Sequence, residues 1–180
     1  MQNKPADNAT AYIVIDTNVL ISAGLLPKST TALALEIAVT HFVIAQNQAT
    51  WHELETRIAK PKFDRYFGDT GRLTHLVKIA QTIARFEQTA TLAISRDATD
   101  DKFVGLAIDS GAKIILSGDQ DLLVLKQVQD IEILTPARFC ERYGDLKQLM
   151  AEHKALNIPR DDAWTNFEPL PSEKAQWQKD

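Results

Sequence analysis

Short apolar runs rich in β-branched residues alternate along this chain with stretches of helical spacing, and that alternation constrains the fold more than any other feature. Tyr12–Ile15, Phe42–Ala45, Ile114–Leu116 and Ile131–Leu134 each read as a buried strand. Thr31–Val39 carries Leu33, Leu35, Ile37 and Ala38 and reads as a buried helix. Trp51, Leu54 and Ile58 recur at helical spacing, and Pro61 ends that helix. Leu73, Leu76, Val77, Ala80, Ile83 and Ala84 outline an amphipathic helix. Phe103, Leu106, Ala107 and Ser110 outline another, stopped by Gly111. Thr135-Pro136 opens a last helix as N-cap and first-turn proline. Strands alternating with helices predict an α/β domain with a mainly parallel sheet. Ligands of such sheets bind beyond the carboxyl ends of the strands, which turns the position of each acid into a statement about a site.

The 180 residues allow one ordinary domain and a short appendage. The expected boundaries are 11–144 for the domain and 145–180 for a C-terminal extension. From about Asp145 periodicity fades, and Pro159, Pro169 and Pro171 accompany Trp164 and Trp177. This stretch reads as an arm that docks on its own domain or on another copy, because a solvated tail rarely carries tryptophans. No apolar run is long enough to cross a bilayer, and Met1–Thr10 lacks an apolar signal core, so a cytoplasmic protein with no membrane attachment is the expectation.

Cys140 is the only cysteine, which excludes an internal disulfide and a multi-cysteine zinc site. It reads as a core residue on a buried helix face. His41, His52, His75 and His153 are scattered without ligand spacing. A metal here would be held by oxygen, which favours magnesium or manganese. The net charge of −4 is not the basic footprint of a dedicated nucleic-acid binder. Yet Arg57, Lys60, Lys62 and Arg65 fall close together with Phe63 and Tyr66 among them. They form either a track for a nucleic-acid backbone or a solvated basic surface.

The acids have ordinary roles one at a time. Asp16 follows the first strand in Asp16-Thr17-Asn18, where an aspartate often caps the next turn. Glu53 lies at the edge of the face marked by Trp51 and Leu54. Asp97, Asp100 and Asp101 precede a helix, where acids favour the dipole and cap free amides. Asp119 and Asp121 follow the strand Ile114–Leu116 and a glycine turn. Taken together, carboxylates from distant segments repel one another unless a cation neutralises them, and a divalent ion does so while activating water. No serine–histidine–acid set, zinc motif or phosphate-binding glycine loop competes for these residues.

Val14 to Ser22, Glu53 with Lys60-Pro61-Lys62-Phe63, Arg96-Asp97 through Asp100-Asp101-Lys102-Phe103, and Ser117 to Leu123 resemble, in order, the PIN-domain family. The branch they are most similar to is the VapC-like toxin component of bacterial toxin–antitoxin systems. The resemblance runs from about Tyr12 to Tyr143. It implies a PIN-like three-layer fold, with a mainly parallel central sheet of four or five strands flanked by helices. It also implies a hydrolase that cleaves RNA phosphodiesters with Mg2+ or Mn2+ as an endoribonuclease. Residue by residue it implies metal ligation by Asp16, Glu53, Asp119 and the doublet Asp100 and Asp101, of which either one faces the metal. Asp121 is implied as a supporting acid, and Thr17, Asn18 and Ser117 as polar neighbours. RNA as substrate, an antitoxin protein as partner and a homo-oligomer are the accompanying expectations. Two alternatives stand beside this reading: a catalytically inactive PIN-like binding module, and a receiver-like magnesium-binding regulatory domain. The second lacks an acid partner beside Asp16 and a lysine after a late strand.

Overall fold

The computed structural model describes residues 11–88 and 100–144. Asp97 and the extension with Trp164 and Trp177 lie outside the described residues. The strands are β1 (Tyr12–Ile15), β2 (Val43–Gln46), β3 (Ile83–Arg85), β4 (Ile114–Leu116), β5 (Gln127–Val128) and β6 (Ile131–Leu134). The helices are α1 (Thr17–Leu25), α2 (Thr30–His41), α3 (Gln48–Ile58), α4 (Asp64–Ala80), α5 (Asp101–Ser110), α6 (Gln120–Leu123) and α7 (Pro136–Tyr143). A single 3-10 turn, Pro61–Phe63, joins α3 to α4 because proline tolerates a first helical turn but not an interior.

The sheet order is β3-β2-β1-β4-β6-β5. Every pairing is parallel except that of β5 with β6, an antiparallel edge. Successive residues of the central strands face opposite layers, as the strand period of two requires. Ile13, Ile15, Ile44, Ile114, Leu116 and Leu134 pack with residues of α1, α2, α3, α4 and α7. Val14, Ala45, Ile115, Ile131 and Ile133 pack on the other face with Phe103, Val104, Leu106 and Ala107 of α5 and Leu122 of α6. The result is helix, sheet, helix. Burying each such large apolar side chain contributes roughly 1.5–3 kcal/mol, so both faces are needed to hold the sheet.

Chain direction through the sheet reverses at its centre. From β1 the chain steps outward to β2 and then β3, and β4 returns to the other side of β1 and leads on to β6. The gap between the carboxyl ends of β1 and β4 is therefore a switch point, where connections leave to opposite sides and open a crevice. Asp16 follows β1 directly, and Ser117 follows β4 directly. The ladder continues one step past the strands there, with the Asp16 amide donating to the Leu116 carbonyl at 2.9 Å.

The structure differs from the sequence reading at β3, at β5 and at Cys140, among other places. Ile83 and Ala84 belong to β3 and not to the preceding helix, which ends at Ala80. The Thr82 carbonyl accepts from the Ile44 amide at 3.1 Å, so the sheet edge captures residues whose spacing also suits a helix. Among the described residues the sheet has six strands, the added pair being the three-residue β3 and the two-residue β5. Cys140 is half-buried, not fully enclosed, with Sγ 3.7 Å from the Thr30 carbonyl oxygen, and desolvation pushes its thiol pKa up. Among the described residues no helix is long and apolar enough to cross a membrane.

Candidate active site

The carboxyl edge of the sheet is where strands become helices, and each changeover needs a cap for the free amides of the new helix. Asp16 caps α1, Asn47 caps α3, Asp119 caps α6 and Thr135 caps α7, each accepting a backbone N–H in its helix's first turn. Capping alone accounts for a polar residue at each of these places. It does not account for the burial or the charge of Asp16.

Asp16 is 3 % exposed. Its Oδ1 accepts from the Asn18 amide at 3.0 Å and its Oδ2 accepts from the Ser117 hydroxyl at 2.7 Å. Ser117 is fully buried and its hydroxyl oxygen in turn accepts from the Asp119 amide at 2.9 Å. One hydroxyl thus ties the end of β1 to the loop after β4. Burial pushes the Asp16 carboxyl above the ordinary aspartate value; the Asn18 amide and Ser117 hydroxyl pull it back, while the negative charges of Asp119 and Glu53 push it further up. Among the described residues no basic side chain forms an ion pair with Asp16. The edge therefore carries a buried carboxylate under pressure from two others and without a cation of its own.

Glu53 reaches the edge from α3, on the turn above the buried Leu54 and Ile58 face. Its Oε1 lies 2.8 Å from Arg57 Nε, the i,i+4 partner on the same helix, and its Oε2 pairs with Lys102 Nζ from the first turn of α5. Arg57 also donates through Nη1 to Asn18 Oδ1 at 3.0 Å. Arg57 is half-buried and ties α3 to α1, whereas Lys60, Lys62 and Arg65 are exposed. Lys62 and Arg65 lie over the rings of Phe63 and Tyr66, 5.3 and 4.9 Å from the centroids. The structure accordingly divides the four basic residues into one that belongs to the acid edge and three that form a surface.

The acid doublet divides as well. Asp101 opens α5 and is 6 % exposed, while Asp100 is half-buried at the N-cap position without a side-chain cap bond. Asp119 Oδ1 accepts from the Asp121 amide at 2.8 Å, so Asp119 sits at the turn and Asp121 one step into the short α6. Thr17 is buried at the start of α1 beneath this edge. Asp16, Asp119 and Glu53 therefore share one electrostatic neighbourhood, and Ser117 and Asn18 orient them. Among the described residues no three carboxylate, histidine or cysteine side chains already converge as a set of metal ligands. Both Glu53 oxygens face basic side chains, those of Arg57 and Lys102. The donor set fits a hard divalent cation nevertheless: all its groups are oxygens, and the buried Asp16 forms no ion pair among the described residues.

Lys102 has no place in the sequence reading of the site. Its signal was its position next to the acid doublet at a helix start, where a lysine is unfavourable to the dipole and asks for another explanation. The buried cluster Gln46, Asn47 and Thr50 at the end of β2 was also unread; the Thr50 hydroxyl donates to Gln46 Oε1 at 2.5 Å and completes a capping box with Asn47.

A sequence profile described as the PIN domain matches residues 12–121. No curated protein sequence matches the chain. Among solved structures, a chain in the crystal structure of VapBC2 from Rickettsia felis bound to a DNA fragment from their promoter superposes with a TM-score of 0.50 at 14 % identity, covering 69 % of this chain and 98 % of that one. At such identity the likeness is one of fold. The profile takes in β1, α3, the start of α5 and the turn after β4, more than half of the chain and every element that brings an acid to the edge, and it sets the receiver-like alternative aside: the chain belongs to the PIN-domain family.

Proposed function

We propose that this protein is a divalent-metal-dependent endoribonuclease. The observation that carries the reading is Asp16: a buried carboxylate at the switch point of a parallel sheet, pressed by Asp119 and Glu53 and paired with no base among the described residues. Asp16, Asp119, Glu53 and Asp101 would hold Mg2+ or Mn2+, Asp101 in preference to Asp100 because it is the buried member of the doublet. When bound, such an ion supplies charge neutralisation at a phosphate and acidifies a water.

The chain's own residues have separable tasks. Ser117 holds the Asp16 carboxylate in one orientation by donating to Oδ2 and fixes the Asp119 loop through the same oxygen. Asn18 and Arg57 hold α1 and α3 in register. Asp121, beside the edge, orients the attacking water as a supporting carboxylate. Lys60, Lys62 and Arg65 offer exposed charge to an RNA backbone. We further infer a toxin–antitoxin setting, since VapBC2 is such a structural relative; a small partner protein and self-association would accompany it, with residues 145–180 available to either contact. Cytoplasmic RNA is the matching substrate.

One observation favours the second reading, an inactive PIN-like binding module: both Glu53 oxygens face basic side chains. The same assay separates the two. Purified protein is incubated with a mixed-sequence single-stranded RNA in Mg2+ or Mn2+, with and without chelator, beside Asp16→Asn and Asp101→Asn. Cleavage that needs the metal and vanishes in both variants is the expected result. Absence of cleavage by the wild-type protein across RNAs and metals favours the binding module, and equal cleavage by Asp16→Asn rejects the site.

A further inference from the structure

Glu53 is held from two sides by groups of different freedom. Arg57 approaches from its own helix, with Nε 2.8 Å from Oε1, and is fixed a second time by Asn18 Oδ1 at 3.0 Å. Lys102 approaches from α5 and pairs with Oε2 across the edge of the sheet. Both partners of that pair are mostly enclosed, with side chains 21 % and 13 % exposed. A guanidinium with two anchors is a fixed part of the frame, whereas an ammonium on a four-carbon stem is a mobile point charge. Of the two cations, Lys102 is the one able to leave.

Its place is also the place a metal needs. Glu53 acts on Asp16 through its charge, and Asp119 does the same from the other side. An ion neutralising all three would require an oxygen of Glu53, and the one not taken by the fixed Arg57 is taken by Lys102. We propose that Lys102 is a built-in competitor of the divalent ion: its ammonium occupies Glu53 Oε2 in the metal-free protein and yields that oxygen when the ion binds. The proposal rests on the metal-site reading above. It gives Lys102 a regulatory task, since it sets the ion concentration at which the edge loads and keeps the metal-free edge from accumulating uncompensated charge.

The test is Mn2+ binding to the full chain by calorimetry, without RNA. Lys102→Met removes the ammonium and keeps the apolar stem. It should bind Mn2+ at least about tenfold more tightly than wild type, the low end of what partners of a metal ligand do to affinity. Lys102→Gln, which keeps a donor for Glu53 without charge, should fall between the two. Lys113→Met makes the same change in net charge at the opposite edge, where Lys113 pairs with Asp130, and should bind as wild type does. Unchanged or weaker binding by both Lys102 variants overturns the proposal, and so does equal tightening by Lys113→Met, which would be an effect of net charge alone. Asp16→Asn separates this failure from failure of the site. If Asp16→Asn loses Mn2+ and Lys102→Met gains nothing, the site stands and the competition falls. If Asp16→Asn binds as wild type does, or no chain binds, both fall.

Discussion

The two edges of the sheet handle charge in opposite ways. At the amino edge Lys113 pairs with Asp130 and Arg142 with Glu132, one base to each acid, with every partner substantially exposed. Hydrogen bonds from those bases hold Asp130 and Glu132 below the ordinary carboxylate range. Lys113, Asp130 and Glu132 line a surface cleft with Tyr12, Phe42 and Tyr143, and water screens both pairs, so each contributes little to stability. At the carboxyl edge the acids outnumber the bases, Asp16 is buried, and its carboxyl is pushed up where the amino-edge acids are pulled down. A fold that closes its charges in simple exposed pairs at one edge has left the other edge short of positive charge. An unbalanced buried carboxylate, and not the count of acids, sets the carboxyl edge apart from the amino edge.

Substitutions can break this contrast, in decreasing order of expected effect. Asp16→Asn keeps the shape and removes the buried charge; RNA cleavage should fall by more than the roughly 100-fold that follows loss of an outer partner of a ligand. Glu132→Gln at the amino edge should leave cleavage unchanged, and an equal loss in both would erase the distinction between the edges. Asp119→Ala should cost more than Asp121→Ala, because Asp119 acts on Asp16 directly and caps α6, while Asp121 stands one step away. A titration of Mn2+ in the assay separates weakened binding from lost chemistry, and a larger loss for Asp121 would reverse their roles. Ser117→Ala removes one hydroxyl that serves both Asp16 and Asp119, and about 10-fold of metal affinity should go with it.

The smallest effect concerns His75, buried in the core behind the site. Its ring stacks on Phe67, and Nε2 lies 2.9 Å from the Leu20 carbonyl of α1, to which it donates. The packing is close: a methyl at Gly24 would lie 2.6 Å from Nε2. Burial holds the imidazole pKa below its ordinary value. The unfolded chain then takes up a proton near pH ~6.5 while the folded chain does so only at lower pH. Stability should be full above that value and decline as the pH falls from it through the lower folded value. His75→Gln keeps a donor for Leu20 and should flatten this decline in a series of melting curves between pH 7 and pH 5. An unchanged slope would assign the decline to other groups.

Where local physics suffices, the sequence was readable. β1, β4 and β6 run over the residues their apolar runs mark, Gly111 ends α5 with φ of 70°, and Thr135-Pro136 opens α7 as cap and first turn. α1 was not read, because Val19, Leu20, Ile21, Ala23, Gly24 and Leu25 are buried on nearly every side and leave no amphipathic period. β3 was read as helix because Ile83 and Ala84 continue the spacing of α4, and only pairing with β2 decides otherwise. In the site, the order of strands and the acids that follow them placed Asp16 and Asp119 at one edge from the sequence alone. The i,i+4 spacing of Glu53 and Arg57 was equally visible. The pairing of Glu53 with Lys102 was not, since it depends on how α3 and α5 meet across the sheet, and neither residue carries a local sign of the other.

The most direct test of the account is the melting temperature of wild type and Asp16→Asn, each with and without Mn2+, near neutral pH. Ionised Asp16 is a burden on the metal-free fold, so in chelator the variant should melt at or above wild type. Saturating Mn2+ should then raise wild type, by about 2.7 kcal/mol of stability at a hundredfold excess over the dissociation constant, and leave the variant where it was. A wild-type protein unmoved by Mn2+, or a variant stabilised by Mn2+ as much as wild type, would contradict the proposal that Asp16 at the carboxyl edge holds a divalent cation.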